Sequence, residues 1–267
     1  MKTIINSSER TQWFKTFAFL ACLLFISFQS CQKDELNQDS MLNIDEMSPS
    51  ELSISGNIPH GKIKDVDGNV YKKIKIGKQW WMAENLKTTR YNNEEPIDYP
   101  GEDNDSWKTY TKGVYAWCNN DINSKDIYGG LYNWYAVNTG KLCPVGWHVS
   151  SDDEWKILEK YLGMTLEETD IEGLRGTPAG GKLKETGIMH WLEPNFGATN
   201  ESGFTALPAG TRDPDGSFSG MYEVSCWWTS TPSVPGPWKR YIGYGDDNIG
   251  RDRNDKACGW SVRCVKN

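Results

Sequence analysis

The chain has 267 residues, 29 of them basic and 36 acidic, for a net charge of −7 at neutral pH. That balance excludes a general nucleic-acid binder, which needs a basic footprint. Its 13 Trp, 12 Tyr and 8 Phe exclude extended disorder as the main state.

Residues 1–30 read as an export signal. Lys2, Arg10 and Lys15 form a basic start, and Phe17 to Phe28 is an apolar run of 12 residues. A spanning helix needs about 20 such residues, so this run fits a signal peptide instead. Removing it leaves 26 basic and 35 acidic residues, because Lys2, Arg10, Lys15 and Glu9 leave with it. Phe28-Gln29-Ser30-Cys31 resembles a bacterial lipobox, with Phe28 bulkier than the usual Leu. On that reading Cys31 is the diacylated N-terminus, and two acyl chains give stable anchoring. The alternative is an ordinary secretory signal cut elsewhere. Lys33, Asp34 and Glu35 resemble the tag that sends some lipoproteins to the outer face of the outer membrane; a solvated tether is the alternative. The expected location is therefore the outer membrane, lipid-anchored and facing the exterior. Residues 31–57 are polar, without a clean period, and read as a flexible tether. Residues 58–267 read as one globular domain.

That domain opens with a hairpin. Lys62–Val66 and Val70–Ile76 alternate around the turn signal Asp67-Gly68. Gly77-Lys78 turns the chain into a third strand, Gln79–Ala83. A short strand follows at Gly113–Trp117, and Tyr128–Val137 has a helical period. Gly146–Val149 precedes the clearest helix, Asp152–Leu162, which Ser151 and Glu154 open as a capping box. Trp155, Leu158 and Leu162 form its buried stripe, and Gly163 stops it. Residues 163–202 read as irregular. Strands are expected again at Gly203–Ala209, Cys226–Ser230, Lys239–Gly243 and Trp260–Lys266. Short mixed strands with few helices and no βαβ alternation mean an α+β fold.

Several segments are distinctive: Gln79-Trp80-Trp81-Met82-Ala83-Glu84-Asn85-Leu86-Lys87-Thr88-Thr89-Arg90-Tyr91, then Tyr128-Gly129-Gly130-Leu131-Tyr132-Asn133-Trp134-Tyr135-Ala136-Val137, then Leu142-Cys143-Pro144-Val145-Gly146-Trp147-His148-Val149. Gly197-Ala198-Thr199-Asn200-Glu201-Ser202-Gly203-Phe204, Trp227-Trp228-Thr229-Ser230 and Ser261-Val262-Arg263-Cys264-Val265 follow. In this order they resemble the Fibrobacter succinogenes major paralogous domain family, over about Lys62 to Lys266. The resemblance implies secreted proteins or lipoproteins of Gram-negative bacteria, with no established activity. Their C-terminal half is similar to the C-type-lectin-like fold shared with formylglycine-generating enzymes, so that fold is expected here. A fold of this kind hosts both binders and enzymes.

Cys143 and Cys264 sit in the family motifs, and the resemblance implies a disulfide between them. Cys226 and Cys258 depart from the family pattern and lie at the starts of C-terminal strands. They suggest a second bridge, with two buried free thiols as the alternative. Cys118 reads as an inert thiol. The search for chemistry mostly returns blanks. His60, His148 and His190 form no ligand spacing, and no nucleophile elbow, Walker A or dinucleotide fingerprint occurs. A formylglycine-generating reading would cast Cys258 and Cys264 as a redox pair, but Cys264 is already assigned to a bridge. No cofactor is expected. The alternative is Ca²⁺, because Glu193-Pro194-Asn195 spells the sugar-binding tripeptide of C-type lectins. Its usual Trp-Asn-Asp partner is replaced by Trp227-Trp228-Thr229.

The tryptophan pairs Trp80-Trp81 and Trp227-Trp228 fall in strands, where neighbours point to opposite faces. Either loops cover both faces and all four are core, or one of each pair is a ligand platform. Trp107, Trp191 and Trp238 lie in loop-like stretches and are the candidate binding tryptophans, with Glu193 and Asn195 beside them. The expected function is a non-catalytic binding or adhesion module for a glycan or an extracellular protein. The alternatives are a scaffolding subunit of a surface assembly and a cryptic enzyme.

Overall fold

The computed structural model describes residues 62–267. The export signal, Cys31 and the tag Lys33, Asp34 and Glu35 lie outside the described residues. Among the described residues, no helix is long and apolar enough to cross a membrane.

The elements follow the turn chemistry. Strands β1 (Lys62–Lys64) and β2 (Val70–Ile76) pair antiparallel around Gly68, whose φ of 86° favours glycine. β2 then pairs with β3 (Gln79–Met82) across Gly77-Lys78. Helix α1 (Asn104–Thr109) is followed by β4 (Tyr115–Trp117), helix α2 (Lys125–Tyr128), β5 (Gly130–Tyr132) and helix α3 (Trp134–Val137). Next come β6 (Trp147–Val149), helix α4 (Asp152–Tyr161), helix α5 (Leu166–Asp170) and β7 (Gly173–Arg175). A small hairpin, β8 (Thr211–Arg212) and β9 (Phe218–Ser219), precedes β10 (Val224–Trp228). β11 (Trp238–Gly243), β12 (Ile249–Arg253) and β13 (Cys264–Lys266) close the chain.

Two sheets carry the domain. One runs β1-β2-β3-β13-β6 and the other β10-β11-β12-β7, with β4-β5 and β8-β9 as two-stranded additions. The last strand, β13, lies between β3 and β6, so the end of the chain completes the middle of a sheet. Cys143 is bonded to Cys264, tying β13 to the segment before β6. The architecture is α+β, mostly sheet, with a few short helices.

Two aromatic cores lie on opposite faces of β10. Trp227 joins Trp81, Trp155 and Phe204, with ring centroids 5.2 to 5.9 Å apart along the cluster. Trp228 points the other way and packs on Trp260 at 4.0 Å. Both are fully buried, as is Trp81, because loops cover both faces. Trp80 differs: it is 36% exposed, with the Lys73 ammonium 5.1 Å from its ring.

Buried polar groups hold the loops. The Asn85 side chain donates to the Tyr128 carbonyl at 2.9 Å and accepts from Trp227 Nε1 and Arg263 Nε. Arg263 also donates to the carbonyls of Met82, Phe204 and Thr205. Lys184 is capped by the carbonyls of Phe196, Gly243 and Asp246. Each cation is buried without a carboxylate on it, and carbonyl dipoles take over that role. Asp67 gathers Thr88, Thr89 and Arg90 onto the first hairpin.

Helix α4 brings charge to the second sheet. Arg240 and Arg251 face each other in the β11–β12 register, so two like charges stand side by side. Asp152 and Glu159, two helical turns apart, neutralise them. Asp152 meets Arg240 at 2.7 Å and Arg251 at 2.9 Å, and Glu159 meets Arg240 and Arg175. Burial pushes the Asp152 carboxyl up, but the two arginines outweigh it and hold the group well below the usual range.

Three expectations change. Tyr128–Val137 is not one helix: Gly129 adopts φ 76°, where an added Cβ would lie 2.7 Å from Asn85, and the chain turns into β5 before α3. Gly203–Ala209 is not a strand; Gly203 and Thr205 both have positive φ, and only Ala206 forms a bridge, to Lys184. The 163–202 stretch contains α5 and β7. β12 lies outside the expected strands, and its Arg251 and Arg253 pair with distant Asp152 and Glu172.

Candidate functional site

A concave surface is built by three segments that meet at α3. Asn133 caps α3, its side-chain oxygen accepting from the amides of Ala136 and Val114. This fixes Trp134 inward, with Nε1 donating to the Thr229 carbonyl at 3.1 Å. The next residue, Tyr135, is half-buried at the surface.

The second segment is the turn after β12. Asn254 donates its amide to the Pro237 carbonyl, and Gly236 approaches so closely that an added Cβ would lie 2.0 Å from the Asn254 oxygen. Glycine is required there. The third segment is α1, capped by Asp103, whose carboxylate accepts from the Ser106 amide. Trp107 anchors α1: it is 1% exposed, its Nε1 donates to the Ala257 carbonyl at 3.0 Å, and the Arg212 guanidinium lies 4.3 Å from its ring. With Trp107 held inside, Lys108 and Tyr110 sit at the surface.

Together these segments line three adjoining depressions of 460, 430 and 340 Å³. The first and second share Tyr135 and Asp255; the second and third share Thr109, Tyr110 and Thr111. They form one open groove. Arg253, Asn254 and Lys256 line one end, Lys108 and Asp215 the middle, and Ser106 and Lys112 the other end. Lys112 pairs with Asp98 at 2.7 Å and Arg253 with Glu172 at 2.6 Å. Among the described residues, Lys108 and Lys256 make no ion pair. The Lys256 ammonium lies 5.4 Å from the Trp134 ring.

The residues singled out from sequence fall elsewhere. Trp107 and Trp191 are core, not surface; Trp191 is 2% exposed and donates to the Ala206 carbonyl. Trp238 is half-buried under the guanidinium of Arg251, 3.6 Å from its ring, with Arg253 at 5.0 Å. Glu193 is exposed, but Asn195 is buried, and its side-chain nitrogen donates to the carbonyls of Glu185 and Gly187. Asn195 therefore braces its own loop. Among the described residues, no group of three or more His, Cys, Asp or Glu is placed to hold a metal ion.

The second bridge does not form. Cys226 and Cys258 are both buried free thiols. Burial pushes the thiols of Cys118 and Cys258 up to about 12 and that of Cys226 to about 11. They stay protonated at neutral pH and are weak nucleophiles. His148 is tied into the α4 cap, with Nε2 2.8 Å from Glu154 and Nδ1 2.6 Å from Asn267.

The groove residues Lys108, Tyr110, Tyr135, Asn254 and Lys256 were not evident in the sequence. Tyr135 carries one usable signal: it follows a cap residue and a core Trp on a short helix, so it must point away from that core.

The model of the Fibrobacter succinogenes major domain family matches residues 74–266. The chain belongs to the Fibrobacter succinogenes major domain family. No curated protein and no solved structure matches it. Within this Fibrobacter succinogenes major domain, the polar residues of the first distinctive segment organise the fold. Asn85 holds Trp227 and Arg263, and Thr88, Thr89 and Arg90 hold Asp67. The groove also lies inside the matched span, but on other segments.

Proposed function

We propose that the protein is a surface-displayed lipoprotein whose domain binds carbohydrate as a non-catalytic adhesion module. On this reading Cys31 carries the lipid, Lys33, Asp34 and Glu35 direct it to the outer face of the outer membrane, and the head has a C-type-lectin-like fold. The observation that carries the ligand class is the groove. Tyr110 and Tyr135 offer aromatic faces to the C–H faces of sugar rings. Asn254, Asp255, Thr109 and Arg253 offer donors and acceptors for hydroxyls around them. The three depressions adjoin through shared residues, which gives the extended path a linear chain requires.

The test is a glycan array probed with the full chain in detergent, with and without Ca²⁺. Binding lost in Tyr135→Ala and retained without Ca²⁺ is the expected result. No binding to any glycan removes the ligand class.

A second reading, a scaffolding subunit, draws on a different surface. Ile188, Met189, Leu192 and Phe196 stand exposed on one loop, beside Tyr222. Exposed apolar patches of this kind mark protein contacts. If Ile188→Ser with Met189→Ser changes the assembly state of the chain and leaves glycan binding intact, this surface serves assembly.

A further inference from the structure

Lys108, Lys112, Arg253 and Lys256 line the groove with Asp215 and Asp255; Lys112 and Arg253 are already paired with Asp98 and Glu172, which leaves Lys108 and Lys256 without an ion pair among the described residues. Both carboxylates are engaged by their own turns. Asp215 accepts from the amide and hydroxyl of Ser217, and Asp255 accepts from the Ala257 amide. The cations are distributed along the path rather than clustered. Arg253 and Lys256 line the first depression, Lys108 the second and Lys112 the third. Lys108 and Lys256, the two without an ion pair among the described residues, flank the shared wall of Tyr135 and Asp255.

We propose that this groove selects acidic polysaccharides, linear chains carrying an anionic group on every one or two sugars. The proposal rests on the carbohydrate reading above and adds the charge class. Spaced cations match spaced anions, and the tyrosines and hydroxyl-bearing walls between them match the intervening sugar faces. A single small anion would need convergent cations, which the groove lacks. A nucleic acid carries a denser charge than two unpaired lysines set apart along the groove would match.

The test compares three polymers of one sugar family against the full chain in detergent: neutral galactan, polygalacturonate and a sulfated galactan. Carboxylate and sulfate sources are thereby separated. Either or both acidic polymers should bind about tenfold more tightly than galactan at low salt, and the gap should close as salt screens the exposed charges. Lys108→Ala with Lys256→Ala should abolish the preference for the acidic polymers over galactan, while Tyr135→Ala should weaken all three. Equal affinities, or a preference for galactan, overturn the charge class and leave the carbohydrate reading standing. Binding to none of the three overturns both. Tighter binding to single-stranded oligothymidylate than to either acidic polymer also overturns the proposal.

Discussion

Asn85 shows how much one side chain carries in this fold. It joins the indole of Trp227 and the guanidinium of Arg263 to the same oxygen, at 3.0 and 2.7 Å. Removing that oxygen leaves two buried donors unpaired, one of them charged. Asn85→Ala should therefore lower unfolding stability by about 2–5 kcal/mol, and Asn85→Asp should recover part of it because an acceptor remains. A denaturant midpoint for Asn85→Ala within error of the parent would contradict the hub role. Glu159 offers a parallel case with full charge. It is fully buried between Arg240 and Arg175. Glu159→Gln should cost about 3–5 kcal/mol, since it leaves two buried guanidinium groups short of a counter-charge. If the variant unfolds at the parent's midpoint, the network is compensated elsewhere.

Helix α4 is the element whose design was most visible in sequence. Ser151 and Glu154 form the expected capping box, with Ser151 accepting from the Glu154 amide and Glu154 reaching back to the Ser151 amide. Ser151→Ala should cost about 1 kcal/mol in thermal or chemical unfolding. Glu154 also meets His148, and this adds a pH signature. The hydrogen bond to Glu154 raises the His148 pKa above its ordinary 6.5. Stability from the pair is thus fully present below about 6.5 and is lost as pH rises through the raised folded value. The Glu154 carboxyl is pushed up by burial but lowered on balance by His148 and Ser151, so its share is lost only as pH falls below its ordinary 4.5. His148→Ala should flatten the decline in unfolding midpoint above pH 6.5, and an unchanged slope would remove the pair from the account. Capping boxes and hairpin turns were legible because they depend on neighbours in sequence. The strand β12 and the helix α1 were not. β12 is written in charges, and only the distant Asp152 and Glu172 make Arg251 and Arg253 acceptable in a strand. α1 is six residues long and is held by Trp107 packing under Arg212, a contact between residues far apart in the chain. The groove was hidden for the same reason, since its three walls come from residues near 110, 135 and 255.

At the scale of the whole molecule, the topology makes the end of the chain structurally central. β13 pairs with β3 on one side and β6 on the other, so without it the five-stranded sheet splits into a hairpin region and a lone strand. The Cys143–Cys264 bond acts on the same strand by a different route, closing a separation of 121 residues. These two contributions can be separated. Cys143→Ala with Cys264→Ala leaves every β13 backbone pairing in place and loosens the unfolded chain, which should lower stability by about 2–5 kcal/mol without changing the native structure. Deleting 264–267 removes the strand itself, exposes the facing edges of β3 and β6, and uncovers Trp81, which Val265 opposes in register. The near-ultraviolet circular dichroism of the buried tryptophans reads the difference. The double alanine chain should keep the native signal and melt earlier, and the truncated chain should lose the signal. A truncated chain that retained it would mean that the loops around Asn85 and Arg263, rather than β13, hold the sheet together.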